Sequence, residues 1–250
     1  MHEILPQTLM LLALAGLAAG FIDSIAGGGA LLSLPALLLA GLPPAAALGT
    51  NKAQSLFGSG SATLAYAGKG HIDFRALRLS FALSACGSAC GALLATLVSA
   101  GFLKAFLPIL LIMIALYFAL KPDVSDLPGK VRLRPALFTA AIVPAIGFYD
   151  GILGPGTGSF FMLAYVALAG VGVLKATAQT KLLNFGSNIG AFAVFAASGV
   201  IYWKIGIAMG IGQFIGARLG AGLAMKNGAR LIKPLLVTVC VALSAKLLFS

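Results

Sequence analysis

Charged side chains are scarce in this sequence, and acidic ones especially so. Only 9% of the 250 residues are charged, six of them Asp or Glu and 17 Lys or Arg, whereas a soluble domain carries about 25% charged residues. Hydrophobic residues make up 60% of the chain, and the mean hydropathy is +1.04. The polar side chains are too few to cover a core of this composition in water, so the surrounding solvent must be lipid.

Cysteine and histidine are also rare, which excludes most metal and nucleophile chemistry. The three cysteines, Cys86, Cys90 and Cys240, lie in apolar segments without the paired spacing of a zinc site or a disulfide framework. The two histidines are His2 and His71. The sequence contains no nucleotide, haem or hydrolase motif, so it predicts neither an enzyme nor a bound metal or cofactor.

The net charge of +11 is explained by membrane topology and not by nucleic-acid binding. Lys and Arg collect in the short cytoplasmic loops of membrane proteins. Several apolar runs reach the roughly 20 residues that span about 30 Å of hydrocarbon, so the predicted fold class is an all-α polytopic membrane protein in a lipid bilayer. The runs are 4–19, 31–42, 50–67, 79–100, 102–120, 136–147, 157–174, 179–199, 205–224 and 229–249.

The sequence contains an internal repeat. The segment 20–29 (GFIDSIAGGG) recurs as 147–156 (GFYDGILGPG), displaced by 127 positions. Further along the chain the displacement is 129, which pairs Lys52 with Lys181. Long internal repeats with polar, glycine-broken helices are typical of membrane transporters. The predicted organisation is a first transmembrane repeat, a cytoplasmic linker and a second repeat, over 1–120, 121–134 and 135–250.

Each repeat is predicted to begin with a helical hairpin whose tip is the glycine break. One helix over the 38 residues 4–41 would be about 57 Å long, far more than one span. If each glycine break is the tip of a hairpin, the basic residues divide 11 to 2 between the two sides of the membrane. If 4–42 and 136–174 instead each cross the membrane once, giving eight spans and two parallel repeats, the basic residues divide 8 to 5. The 11-to-2 split favours inverted repeats, each with a hairpin plus about three transmembrane helices, and both termini outside the cytoplasm. Re-entrant and fully crossing hairpins both remain open.

Each copy of the repeat has one aspartate and one lysine at membrane depth. They are Asp23 and Lys52 in the first copy, and Asp150 and Lys181 in the second. Each costs on the order of 2.5–3.5 kcal/mol at a helix centre on insertion scales, so each is expected to have a partner or a function. One interpretation is structural, with Asp–Lys ion pairs that only neutralise buried charge. The other is a transport site, because a new helix starts after each break and its N–H groups and dipole attract anions.

The transport interpretation gives two sets of residues. Asp23 and Asp150 are predicted to couple transport to protons or possibly Na⁺, because an apolar setting disfavours a bare carboxylate. Backbone, hydroxyl, amide and ammonium donors are predicted to bind a small anion near the membrane midplane. These residues are Gly27, Gly28, Gly29, Ser33, Asn51, Lys52, Gly154, Gly156, Thr157, Ser159, Lys181, Asn184 and Asn188.

These motifs resemble the sulfite exporter TauE/SafE family. The first half carries GFIDxxxGGG at 20–29, LP at 34–35, GTNK at 49–52 and GHIDF at 70–74, and the second carries GxGTG at 154–158 and TKLLN at 180–184. The resemblance covers nearly the whole chain. It implies a bacterial or archaeal plasma-membrane transporter of sulfite, sulfonates or related organosulfur acids, with alternating access between the repeats. Pro155 replaces the middle glycine of the second break, so the two half-sites need not bind alike.

Two other interpretations of the function remain. The protein could be a structural or assembly factor without transport, although such a protein does not need repeated charges beside broken helices. It could also transport a small organic anion without sulfur. The sequence does not determine the oligomeric state.

Overall fold

The computed structural model describes residues 6–98 and 129–227, and within these ranges the chain forms eight helices. They are α1 (Pro6–Ala26), α2 (Gly29–Leu39), α3 (Pro44–Ala67), α4 (Phe74–Leu97), α5 (Pro135–Ile152), α6 (Thr157–Ala167), α7 (Val173–Ala197) and α8 (Trp203–Asn227). Helix α5 includes a wider π turn over Phe138–Ile142. The predicted spans 102–120 and 229–249 lie outside the described residues, as does most of the predicted linker 121–134.

Helix length and composition confirm the predicted class. Helices α1, α4, α5 and α8 are long and apolar enough to cross a membrane. Helices α2 and α6 are apolar but have only 11 residues each, which is about 16 Å, or half of the hydrocarbon thickness. No strand occurs in the two described ranges, so the described part of the chain is all-α.

Each short helix folds back against the helix before it. The segment before α5 meets the loop after α6, where the N–H of Gly129 donates to the carbonyl oxygen of Gly170 at 3.1 Å. Helix α2 packs on α1 so closely that a Cβ atom at Gly29 would lie 2.7 Å from the carbonyl oxygen of Ala19. The chain therefore turns back at both glycine breaks.

Glycines bring the long helices into backbone contact. Helix α1 packs along α8, and α4 packs along α5. At the interface glycines, a Cβ atom would collide with the backbone of the facing helix, which is how small residues hold helices together in lipid. They are Gly16, Gly20, Gly212, Gly216 and Gly220 in the α1–α8 interface, and Gly87, Gly91, Gly147 and Gly151 in the α4–α5 interface.

Helices α3 and α7 carry most of the polar interior. They pack against each other, and α3 also packs on α8 while α7 packs on α4. Both bury an unusual number of polar side chains for helices in an apolar protein. The buried set includes Thr50, Asn51, Lys52, Gln54, Ser55, Ser59, Ser61 and Thr63 of α3, and Thr177, Thr180, Lys181, Asn184, Ser187 and Asn188 of α7. These two faces place the buried polar side chains beside the glycine breaks.

The described helices have the same order on both sides of residues 99–128. Each half runs long, short, long, long, and the first helix of each half packs against the last described helix of the other. The repeat boundaries and the inversion of one half relative to the other stay predictions.

Candidate functional site

The first glycine break is held by the acidic residue that precedes it. Helix α1 ends at Ala26, and Gly27 has φ of +72°, a left-handed conformation that glycine adopts without strain. The carboxylate oxygen Oδ1 of Asp23 accepts the N–H groups of Gly28 and Gly29, at 3.1 and 3.2 Å. These donors were expected to be unpaired and open to substrate. Asp23 instead caps the start of α2, as an anion does at a helix N-terminus.

The second break is built differently. It joins α5 to α6 through Gly154 and Gly156, with φ of +90° and +81°. Pro155 stands where the first break has Gly28, and proline has no N–H to donate. The equivalent acid, Asp150, instead accepts a hydrogen bond from the Thr157 hydroxyl at 2.8 Å. The two breaks therefore differ in their local hydrogen bonding.

The two breaks touch each other. The hydroxyl of Ser159, in the first turn of α6, donates to the carbonyl oxygen of Ala26 at 2.8 Å and also to that of Gly27. A Cβ atom at Gly27 would collide with the backbone of Gly158. Bare glycine backbones on both sides thus permit this contact, and Ser159 fastens it.

The four buried charges pair across the two halves of the chain. Lys52 Nζ lies 2.7 Å from Asp150 Oδ1, and Lys181 Nζ lies 3.5 Å from Asp23 Oδ2 while also donating to the Asp23 carbonyl oxygen. All four side chains are buried. Buried charges persist only when they are paired and hydrogen-bonded, and here each lysine pairs with the aspartate of the other half. Asp150 Oδ2 has no hydrogen-bond partner among the described residues.

A cavity of about 20 Å³ lies between the breaks and the polar faces of α3 and α7. This volume holds about one water molecule. Eleven of the fifteen predicted site residues line it: Asp23, Gly28, Gly29, Asn51, Lys52, Asp150, Gly154, Gly156, Thr157, Asn184 and Asn188. The structure therefore brings most of the predicted site into one place.

The other four predicted residues, Gly27, Ser33, Ser159 and Lys181, lie behind the cavity wall. The Ser33 hydroxyl donates to Asn51 Oδ1 at 2.6 Å and so orients the amide of a lining residue. Lys181 holds Asp23, and Ser159 holds the first break against the second. These side chains support the site and do not face the cavity.

Lys52 contacts one amide side chain and follows another, Asn51, in the sequence of α3. Its ammonium donates to Asn188 Oδ1 at 3.4 Å, and Asn188 Nδ2 donates to Ser59 Oγ at 3.3 Å. The oxygen of Asn51 accepts hydrogen bonds from Ser33 and, at 2.8 Å, from Gln54. With its oxygen engaged, Asn51 has its NH₂ group left to offer, and an anion is the ligand that such donors suit.

Four lining residues were missed in the sequence: Ala30, Ser55, Gly158 and Gln213. Ser55 was detectable, because the displacement of 129 aligns it with Asn184, which was predicted. The same displacement aligns Ser59 with Asn188, and these two side chains contact each other. Gln213 had no such signal, since it lies among glycines whose spacing indicates packing.

Comparisons with known proteins identify the family to which this chain belongs. The model of the family described as "Sulfite exporter TauE/SafE" matches residues 12–247. The chain is 57% identical over 248 residues to "Probable membrane transporter protein ORF9" of Sinorhizobium sp, covering 99% of this chain and 95% of that protein. It is 44% identical over 244 residues to "Probable membrane transporter protein YfcA" of Escherichia coli strain K12, covering 98% and 91%.

A more distant relative also aligns along nearly its whole length. "Probable membrane transporter protein YunE" of Bacillus subtilis is 25% identical over 268 residues, covering 97% of this chain and 98% of that protein. Solved structures gave no significant match. Family model, relatives and helical fold together make this chain a member of the sulfite exporter TauE/SafE family of membrane transporters.

Proposed function

We propose that this protein carries a small sulfur-containing anion, such as sulfite or a sulfonate, across the membrane together with protons. The observation that carries the proposal is the pair of Lys52 and Asp150, 2.7 Å apart in the lining of the cavity. Lys52 is the cation that an anion in this cavity would meet, and it is already occupied by a carboxylate. Substrate and Asp150 therefore compete for the same ammonium.

Charge balance explains why a proton accompanies the anion. Asp23, Lys52, Asp150 and Lys181 sum to zero, so a bare anion would leave one unbalanced negative charge in a buried site. Uncompensated buried charge costs several kcal/mol. A proton on Asp150 neutralises the carboxylate, releases Lys52 to the anion and restores neutrality. One proton per monovalent anion follows, and concentration gradients then set the direction of net transport.

Alternating access between two inverted repeats accounts for the crossed contacts. In such transporters, broken helices from two repeats meet at a midplane site. The crossed packing of α1 with α8 and of α5 with α4 supports this arrangement, as does the contact between Ser59 and its equivalent Asn188. Lys52 lines the cavity while Lys181 lies behind it, and this difference between the two halves supports a cycle in which they take turns in contacting the substrate.

The small cavity and the Ser159 contact describe a closed site. A space for about one water is too small for a sulfonate, so the breaks must separate before substrate enters. We propose that the breaks are re-entrant tips which part and close again in each cycle. The family's description as sulfite exporters supports a sulfur oxyanion over other small anions.

Reconstitution tests the proposal. The purified full chain in proteoliposomes should accumulate ³⁵S-labelled sulfite or methanesulfonate above the level of protein-free liposomes. A pH gradient should change the rate and a Na⁺ gradient should not, whereas the reverse would assign Na⁺ as the coupling ion. Labelled acetate serves as the non-sulfur anion. Preference for acetate would overturn the sulfur assignment, and no uptake of any of the three would overturn transport of such anions.

A further inference from the structure

Gln213 is a buried side chain that the ion pairs and glycine breaks leave unused. It lies on α8, it is 2% exposed, and it lines the same cavity as Asp23, Lys52 and Asp150. Among the described residues, its side-chain oxygen has no hydrogen-bond partner. Most buried polar side chains in proteins are hydrogen-bonded, and an unsatisfied buried amide destabilises the fold. Such a group needs a reason to be there.

Two glycines make room for this side chain. A Cβ atom at Gly20 of α1 would lie 2.8 Å from Gln213 Cγ, and one at Gly58 of α3 would lie 2.6 Å from it. Each glycine is one helical turn from a lining residue, since Asp23 follows Gly20 and Ser55 precedes Gly58 by three positions. The Gln213 side chain therefore passes between Gly20 of α1 and Gly58 of α3 and reaches the cavity.

Helix packing alone does not require a glutamine here. The displacement of 129 aligns Gln213 with Ser84 of α4, whose hydroxyl donates to the carbonyl oxygen of Leu183 at 2.8 Å. Ser84 is thus satisfied by the protein and is not among the residues that line the cavity. The equivalent helix of the other half packs with a small, hydrogen-bonded residue, so helix packing does not account for the long amide side chain of Gln213.

We propose that Gln213 binds an oxygen of the transported anion and distinguishes oxyanions from spherical anions of similar charge. This inference rests on the proposed function. A half-turn of the amide exchanges its oxygen and its NH₂ group, so the side chain can donate to an anion oxygen that Lys52 does not reach. A neutral donor adds direction without altering the charge balance of the four ionised groups. A halide offers no comparable set of separated acceptor oxygens.

Replacing Gln213 by methionine tests the inference with little change in shape. Because Gln213→Met removes an unsatisfied polar group, the melting temperature in detergent should stay the same or rise. The apparent affinity for ³⁵S-sulfite in proteoliposomes should fall roughly 10- to 100-fold, the range for a hydrogen bond to a charged group. Bromide should compete with sulfite better in this variant than in the wild type.

A matched control replaces Gln54, the neighbouring buried glutamine on α3. The side-chain oxygen of Gln54 also lacks a hydrogen-bond partner among the described residues, but its NH₂ group donates to Asn51 Oδ1 at 2.8 Å and the side chain does not line the cavity. Gln54→Met loses that donated hydrogen bond and should lower the melting temperature. A second route displaces the Gln213 amide without removing it. Gly58→Ala should weaken sulfite affinity, because the new methyl group would meet the Gln213 side chain, and it should add little in the Gln213→Met background.

The glycine control is Gly60→Ala, whose Cβ would lie 3.2 Å from the ring of Phe185, away from the cavity. It should leave sulfite affinity within about twofold of the wild type.

Unchanged sulfite affinity and bromide competition in a folded Gln213→Met variant would overturn the inference while the proposed function stands. Loss of uptake together with a lower melting temperature in Gln213→Met would assign the residue a structural role and equally overturn it. A wild type that takes up none of the anions would overturn the proposed function itself.

Discussion

Lys52 and Asp150 form a buried ion pair that joins α3 of the first half to α5 of the second, with 2.7 Å between Nζ and Oδ1. Lys181 and Asp23 make the reciprocal pair between α7 and α1. Each half of the chain therefore contributes one aspartate and one lysine, and neither half pairs its own. The crossed pairing makes the two halves electrostatically dependent on each other.

The crossed pairing predicts which double variants recover stability. Lys52→Gln and Asp150→Asn should each lower the free energy of unfolding by about 3–5 kcal/mol, because each leaves a buried charge without its partner. The double variant Lys52→Gln/Asp150→Asn should recover most of the loss, while Lys52→Gln/Asp23→Asn should be as unstable as the sum of its singles. Melting temperatures in one detergent would measure this. Equal recovery in both doubles would contradict the pairing.

Uptake measured in the same variants should distinguish a loss of function from a loss of stability. If Lys52 holds the anion, Lys52→Gln/Asp150→Asn should fold but fail to accumulate ³⁵S-sulfite, since the cation is gone. Recovered uptake in this double variant would mean that the pair only neutralises buried charge.

The charge-balance argument predicts a specific phenotype for Asp150→Asn. Asparagine resembles a permanently protonated aspartate, so Lys52 should remain free for substrate and uptake down an anion gradient should persist. A pH gradient should no longer change the rate, because the proton carrier has been removed. Stopped-flow or filter assays with and without the gradient would test this. Gradient-driven uptake equal to that of the wild type would show that another group carries the proton.

The first glycine break predicts a site-directed block. The Cβ of a residue at Gly28 would have only the Leu31 side chain and the Ser159 hydroxyl within 4 Å, and its φ of 166° is extended backbone. Gly28→Leu should therefore fold, fill the cavity and reduce uptake at least 10-fold. Gly222→Leu is the matched control, because a Cβ atom at Gly222 would have nothing within 4 Å. Uptake by the Gly222→Leu variant should equal that of the wild type. Full uptake with Gly28→Leu would show that the break is a packing point only.

The proposed topology predicts on which side of the membrane each reporter fusion lies. In the inverted arrangement, eleven basic residues share the cytoplasmic side, so a fusion after Asp126 should report cytoplasm and one after Lys104 the outside. The eleven are Lys69, Arg75, Arg78, Lys121, Lys130, Arg132, Arg134, Lys175, Lys226, Arg230 and Lys233. A fusion after Ser250 should also report the outside. Paired alkaline phosphatase and green fluorescent protein fusions measure this, and a cytoplasmic C-terminus would contradict the inverted arrangement.

The location of the candidate site could be predicted from the sequence, but the pairing of its charged side chains could not. Charges and glycine breaks are conspicuous in an apolar chain, so Asp23, Lys52, Asp150 and Lys181 could be identified by their energetic cost alone. Their pairing could not, because four charges at membrane depth allow an Asp–Lys pair within a half or between halves. Only helix packing brings α3 beside the second break and α7 beside the first.

Other features depended on local geometry that residue types do not specify. Asp23 was predicted as a proton carrier, yet its carboxylate also takes the N–H groups of Gly28 and Gly29, which were predicted to bind substrate. Gln213 was missed because its neighbours Gly212 and Gly216 indicate close helix contact, and a helix face can both pack and reach a cavity. A repeat comparison position by position would have added Ser55 but not Gln213.

The crossed ion pairs impose an order on the biosynthesis of this protein. Asp23 and Lys52 leave the ribosome before the segments that carry Lys181 and Asp150 exist. At about 5–20 residues per second, the intervening roughly 100–160 residues take on the order of ten seconds to synthesise. During that interval the first half holds two charges in or near the bilayer without their final partners. Asp23 and Lys52 therefore acquire the partners that they have in the folded protein only once the second half has been inserted.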